Sequence, residues 1–174
     1  MNQNIAVIDN FLDSNSFNSV YSILMNDHFP WYYNDHVVFP GDSHFQFTHV
    51  FYTDNKINSE NYYNNIIVPL FLNKLEVFAV HAIKANLKIQ TEEIIKYQLH
   101  TDCSCENSEI ENKITAIYYV NSNNGFTFFE DGTKIESVQN RMVLFNAELK
   151  HAGTSCTNQK TRCVINFNYV GKLP

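Results

Sequence analysis

Three positions in this sequence carry metal-binding residue types at usable spacing. His100 and Asp102 stand two apart in His100-Thr101-Asp102. In an extended chain residues i and i+2 share a face, so this imidazole and carboxylate aim at one point. A His-x-Asp pair alone arises often by chance. Far downstream, however, His151 opens the small-residue segment His151-Ala152-Gly153-Thr154, and Arg162 follows it. Two imidazoles and one carboxylate can occupy one face of an octahedral metal and leave three positions open. That suits a non-haem Fe(II) that must take both a bidentate cosubstrate and dioxygen. Neutral imidazole and hard carboxylate favour Fe(II) over the thiolate sets of structural zinc. Arg162 adds a permanently charged planar fork for a second carboxylate.

Such residues must be held by surrounding elements, and the two halves of the chain differ in texture. In the first half, a short strand over 5–11 precedes Asp13, a good N-cap. Phe17, Val20, Tyr21 and Leu24 then follow at i, i+3, i+4 and i+7, the pattern of a helix with one buried face. Residues 43–52 alternate as a strand. A second helix begins near Asn58-Ser59-Glu60, with Tyr63, Ile66, Ile67 and Leu70 on one face. Pro69 lacks an N–H and predicts a kink or break there, with helix resuming to about Leu75. From Val77 onward short strands are predicted over 82–89, 94–101, 113–121, 125–130, 133–138, 141–146 and 161–170. Asn123-Asn124-Gly125 and Asp131-Gly132-Thr133 read as turns, because Asn, Asp and Gly tolerate positive φ. Helices followed by closely spaced antiparallel strands predict an α+β, mainly β chain: a double-stranded β-helix, or jelly roll, buttressed by N-terminal helices. We expect one domain over residues 1–174, with helical support over about 1–80 and a jelly-roll core over about 80–170.

The final strand offers a check by its faces. Cys163, Ile165, Phe167 and Tyr169 form an apolar side able to pack on helices; Arg162, Val164, Asn166 and Asn168 form the other. Polar groups pointing into a barrel are costly without partners, and a buried anionic ligand would supply them. Lys84 and Asn86 share a polar face in the same way.

Composition sets the outer limits. With 174 residues, 44% hydrophobic and 14% aromatic, the chain can bury a real core without staples. A net charge of −6 and the lack of Lys/Arg clusters argue against a sequence-independent grip on nucleic acid. The Met1-Asn2-Gln3-Asn4 start has no signal-peptide character, and no run reaches the ~20 apolar residues that span a bilayer, so a cytoplasmic protein without membrane partners is expected. Cys103, Cys105, Cys156 and Cys163 fit neither a zinc ribbon nor a disulfide framework and are read as reduced thiols. His28, His36, His44, His49 and His81 have no partner at ligand spacing and are taken as structural or solvated. Trp31, Tyr32 and Tyr33 are read as packing beneath a loop, with a substrate flap as the alternative.

The order His100-x-Asp102, Tyr118-Tyr119-Val120-Asn121, Gly125, Phe128-Phe129, His151 and Arg162-Cys163-Val164-Ile165-Asn166-Phe167 resembles the 2-oxoglutarate/Fe(II)-dependent oxygenases, and within them the prolyl-hydroxylase-like branch. The resemblance covers about residues 80–170. It implies Fe(II) held by His100, Asp102 and His151, with 2-oxoglutarate on the metal directing its far carboxylate to Arg162 near Tyr119. It also implies hydroxylation with O2, release of succinate and CO2, and ascorbate as a stimulant. Asp102 stands where related halogenases lack a carboxylate, which favours hydroxylation. The family's usual tyrosine in the strand before His-x-Asp is missing; Asn86 is the nearest substitute for contacting cosubstrate. Tyr97 is read as packing rather than facing substrate, and Cys103-Ser104-Cys105 as exposed thiols rather than ligands, close enough to the metal to be oxidised.

The expected substrate is an amino-acid side chain, in a protein or as a free small molecule. Two alternatives stay open: the same chemistry on a nucleobase or metabolite, and a non-catalytic jelly-roll binding module. Oligomeric state is not legible.

Overall fold

The computed structural model describes residues 5–102 and 112–174. Cys103 and Cys105 lie outside the described residues.

β1 (Ile5–Ile8) leads into α1 (Ser14–Leu24). The Asp13 carboxylate accepts from the N–H groups of Asn15 and Ser16, both at 3.1 Å, so the helix starts where its first free donors find an acceptor. Val20 and Leu24 are buried on its inner face. β2 (Tyr32–Asn34), β3 (Gln46–Thr53) and β4 (Lys56–Ile57) follow. The second helix departs from the expected α-helix with a kink. Its first turn, α2 (Glu60–Tyr62), opens into a π-helix over Tyr63–Leu72 that contains Pro69, and the Asn73 N–H donates to the Val68 carbonyl, five residues back, at 3.0 Å. The wider spacing accommodates a proline that has no N–H and whose ring would collide with the carbonyl one α-turn back. Ile66, Ile67 and Phe71 are still buried.

The second half is built of β5 (Val77–Ile89), β6 (Lys113–Tyr119), β7 (Phe126–Phe129), β8 (Lys134–Glu136), β9 (Arg141–Asn146), β10 (His151–Gly153) and β11 (Thr161–Gly171). One sheet runs in the order β1-β9-β6-β11-β5-β3-β2, with β4 beside β3; a second runs β10-β7-β8. All pairings between these strands are antiparallel. The two sheets form the expected double-stranded β-helix.

The predicted strand over 94–101 is not a regular one. It lies along β10 through isolated bridges, Lys96 with Thr154 and His100 with His151. Side-chain hydroxyls interrupt its ladder: the Ile95 N–H donates to Ser155 Oγ at 2.8 Å rather than to a strand carbonyl. Gly125 also has a different role from the one its turn context implied. Its φ is not positive. A Cβ there would come 2.8 Å from Arg162 Cδ, so the position is small to let the arginine pass. Gly132, at φ +88°, does serve the β7–β8 turn.

Two cores result. Cys163, Ile165, Phe167 and Tyr169 of β11 pack with Val20, Leu24, Ile67 and Phe71 of the helices. Inside the barrel, Ile117, Tyr119, Phe129, Val143, Phe145 and Val164 form a smaller cluster between the sheets. The face assignment of β11 therefore holds. Trp31 packs edge-on to Phe29 at 4.9 Å, as expected, whereas Tyr32 and Tyr33 are 64% and 65% exposed, because β2 is an edge strand with little to cover it. His49 is buried and bridges the Pro30 carbonyl and Ser59 Oγ, both at 2.9 Å, a structural role. No helix among the described residues is long and apolar enough to cross a membrane.

One buried side chain ties the N-terminal segment to the barrel. Asn140 accepts from the Leu12 N–H at 2.9 Å and from the Tyr118 hydroxyl at 3.0 Å, and donates to the Leu12 carbonyl at 2.8 Å. Its φ of 59° suits asparagine better than most residues. Asn140→Ala leaves these three groups unpaired at about 1–3 kcal/mol each before relaxation, so a net loss of about 3 kcal/mol is expected. At this chain length that lowers Tm by roughly 6–12 °C, measurable by thermal denaturation.

Candidate metal centre

His100, Asp102 and His151 converge at one end of the barrel, each offering a ligand atom within 4.8 Å of the others. β10 holds His151, and paired backbone bonds of 3.0 Å in both directions between His100 and His151 fix the two histidines across from each other. Each imidazole is also oriented. His100 Nδ1 lies 3.0 Å from the Gln98 carbonyl, and His151 Nδ1 lies 3.0 Å from the Leu149 carbonyl. A carbonyl only accepts, so each Nδ1 donates, which leaves Nε2 to donate a proton to Asp102 in the metal-free protein or to present a lone pair to a metal. Those Nε2 atoms face Asp102, at 3.5 Å from Oδ1 and 3.6 Å from Oδ2.

Burial works to raise the Asp102 pKa, but hydrogen bonds and charge from the two imidazoles outweigh it and hold the carboxyl well below the usual carboxylate range. Asn168, with its amide nitrogen turned toward its acceptors, donates to Asp102 Oδ2 at 3.2 Å. The His151 ring packs on Phe145 at 4.6 Å. Its side chain is 1% exposed, Asp102 is 11% and His100 32%, so the triad opens outward on the His100 side.

Deeper in, Arg162 is 2% exposed. Its Nε donates to Ser137 Oγ at 2.9 Å and its Nη2 to Thr127 Oγ1 at 3.4 Å. Tyr119, fully buried, donates its hydroxyl to the same Thr127 Oγ1 at 2.8 Å, and its ring lies 5.6 Å from the guanidinium. Among the described residues no carboxylate pairs with Arg162. Lys88, opposite Arg162 in the β5–β11 register, is also buried, with Nζ 5.1 Å from the Tyr97 ring. Gly153 leaves space in front of both cations. A Cβ there would lie 3.4 Å from Arg162 Nη1 and 3.7 Å from Lys88 Nζ. Gly153 is two residues beyond His151 on the same strand face, so a cationic recess adjoins the triad within one side-chain spacing. Two imidazoles and a carboxylate fit Fe(II), and the recess fits the free carboxylate of a dicarboxylic keto acid.

The profile of the 2OG-Fe(II) oxygenase superfamily matches residues 89–170, the segment that contains the triad and Arg162. With the triad and the recess, this match identifies the chain as an Fe(II)- and 2-oxoglutarate-dependent oxygenase. Among solved structures, this oxygenase is similar in fold to the non-heme alpha-ketoglutarate-dependent epimerase SnoN of nogalamycin biosynthesis, with TM-score 0.67 and 11% identity over 97% of this chain and 76% of that one. A prolyl hydroxylase from Trichoplax adhaerens, in complex with a hypoxia inducible factor peptide fragment, gives TM-score 0.60 and 14% identity over 98% and 84%. A Pseudomonas putida prolyl-4-hydroxylase gives 0.55 and 12% over 98% and 95%. No curated protein is detectably similar in sequence.

Of the residues singled out from sequence, His100, Asp102 and His151 are brought together, and Arg162 and Tyr119 line the recess. Asn86 also points inward, with a buried Oδ1 that has no donor, one row along β5 from Lys88. Tyr97 is buried and packs on Lys88, and burial raises its hydroxyl to about 12. Sequence reasoning missed Lys88, Thr127, Ser137 and the contact of Asn168 with Asp102. Lys88 was within reach, because the alternation through Lys84 and Asn86 continues to it. Thr127 and Ser137 carried no signal, since their importance depends on where Arg162 ends.

Proposed function

We propose that this oxygenase hydroxylates an amino-acid side chain, free or within a protein, using His100, Asp102 and His151 to hold Fe(II) and Arg162 with Lys88 to hold 2-oxoglutarate. The carrying observation is the oriented triad beside a recess that contains a buried, carboxylate-free guanidinium. When bound, the metal and cosubstrate supply the oxidation: O2, 2-oxoglutarate and a substrate C–H become succinate, CO2 and C–OH. The chain's part is placement. Gln98 and Leu149 aim the imidazoles, Asn168 steadies Asp102, Ser137 and Thr127 aim Arg162, and Phe129 and Phe145 keep water from the buried side. The prolyl-hydroxylase likeness supports an amino-acid substrate, and the acidic net charge disfavours a nucleobase in nucleic acid. Free thiols at buried Cys156 and Cys163 support a reducing, cytoplasmic setting.

The test is succinate release from 2-oxoglutarate that needs Fe(II) and O2, with ascorbate present, followed by a search for products heavier by one oxygen. Succinate at background level in the wild type would defeat the reading.

Lys88 makes the cosubstrate step depend on pH. Burial, followed by the charges of Arg162 and Lys84, lowers its ammonium from the ordinary 10.5 to about 7. Between these values the unfolded chain holds more protons than the folded one, so without cosubstrate stability rises with pH across that window. A carboxylate in the recess favours charged Lys88, and binding above pH 7 takes up a proton. We therefore expect 2-oxoglutarate affinity to fall as pH rises above about 7, and the slope to flatten in Lys88→Met. Calorimetry in buffers of different ionisation heat would detect the proton.

A further inference from the structure

A second cavity, of about 270 Å³, lies where the inner faces of β3, β5 and β11 meet, lined by Tyr52, Lys84, Asn166 and Asn168 among others. It adjoins the triad through Asn168, whose amide reaches Asp102 Oδ2. Lys84 and Asn166 stand directly opposite each other in the β5–β11 register. Asn166 Oδ1 is buried and has no donor. Lys84 is partly buried and, among the described residues, makes no hydrogen bond or ion pair, although it lies within electrostatic reach of Asp102. An ammonium without a hydrogen-bonded partner and two amide side chains thus line one small cavity beside the metal ligands. Leaving such groups unpaired costs stability, and the arrangement is explained if a ligand completes it.

We propose that this cavity binds the substrate as a free α-amino acid, with Lys84 taking its carboxylate and the Asn166 and Asn168 side chains lining the space beside it. The inference rests on the oxygenase reading above and narrows it to a small zwitterion. Charge supports it. Among the described residues no carboxylate forms an ion pair with the Lys84 ammonium, and a substrate carboxylate would supply one. Size supports it as well, because the cavity falls below the roughly 300–1,000 Å³ of sites for drug-sized ligands. A carboxylate held at Lys84, next to Asn168, would set the adjoining side chain beside the Asp102 edge of the triad.

The test compares free L-amino acids with their carboxamides and N-acetyl derivatives, and with tripeptides holding the same residue centrally. Two readouts are used: 2-oxoglutarate consumption by the Fe(II) enzyme, and calorimetric binding to the Mn(II)- and 2-oxoglutarate-loaded protein under anaerobic conditions. At least one free amino acid should stimulate turnover and bind. Its carboxamide should be weaker by about tenfold to a hundredfold, the range of one charge-assisted hydrogen bond. Lys84→Met should erase the acid-over-amide preference and Lys84→Arg should retain it. Equal response to acid and amide in the wild type overturns the proposal without recourse to any variant. So does stimulation by the tripeptides alone, or by no free amino acid, when uncoupled, Asp102-dependent succinate release is present. Absence of that uncoupled release would mean that the oxygenase reading has failed instead.

Discussion

Asp102→Ala is expected to lower succinate formation by at least about 100-fold, since altering a mere outer partner of a metal ligand already costs about 10–100-fold in affinity or activity. The carboxylate is the one anionic donor in the triad, and both imidazole Nε2 atoms are aimed at it, at 3.5 and 3.6 Å. Without it, two neutral nitrogens remain to hold a divalent ion. The rise in Tm that Mn(II) gives the wild type should disappear with turnover, because a ligand that no longer binds the native state no longer stabilises it. The metal-free protein should also lose stability at neutral pH. Asp102 has a folded-state pKa below its unfolded value, so its contribution is present above the unfolded pKa and lost as pH falls through the folded one. Equal turnover in wild type and variant would sink the assignment of Asp102 as a ligand.

Arg162→Met should separate binding from stability in sign. The guanidinium is 2% exposed, and hydroxyls of Ser137 and Thr127 are its hydrogen-bond partners among the described residues. Replacing buried charge with a well-packed apolar side chain is often neutral or stabilising by about 1–4 kcal/mol, so the ligand-free variant should melt no lower than wild type. Binding should suffer. Two charge-assisted bonds to a carboxylate, at about 1.5–3 kcal/mol each, correspond to roughly 10²- to 10⁴-fold in 2-oxoglutarate Kd. Thermal shift with Mn(II) and a 2-oxoglutarate titration measures both. If 2-oxoglutarate raises the Tm of the variant as it does that of wild type, the carboxylate sits elsewhere.

Local chemistry was legible in the chain wherever one element sufficed to determine it. The His-x-Asp spacing, the Asp13 cap, the two faces of β11 and the turn at Gly132 each depend on a few neighbouring residues and on periods of 2 or 3.6, and each appears in the fold as read. Where the outcome depended on distant partners, local pattern was not enough. The stretch before His100 alternates like a strand, yet Ser155, brought in from beyond β10, takes its Ile95 N–H and breaks the ladder. Pro69 announced an interruption, but whether the helix would kink or widen into a π-helix depended on the packing of Ile67 and Phe71 against the sheet. Tyr32 and Tyr33 are aromatic enough for a core and are exposed because their strand came to lie at an edge.

The metal centre divides in the same way. By itself the sequence determined the donor set, two imidazoles, a carboxylate and a guanidinium, because ligand chemistry belongs to residue type. Tertiary structure decided what those groups face: Nδ1 bonds that turn each Nε2 inward, a glycine that leaves room before Arg162 and Lys88, and a separate cavity where Lys84 and Asn166 stand unpaired. These are consequences of register between β5, β10 and β11, set by the packing of whole sheets, which no local period encodes.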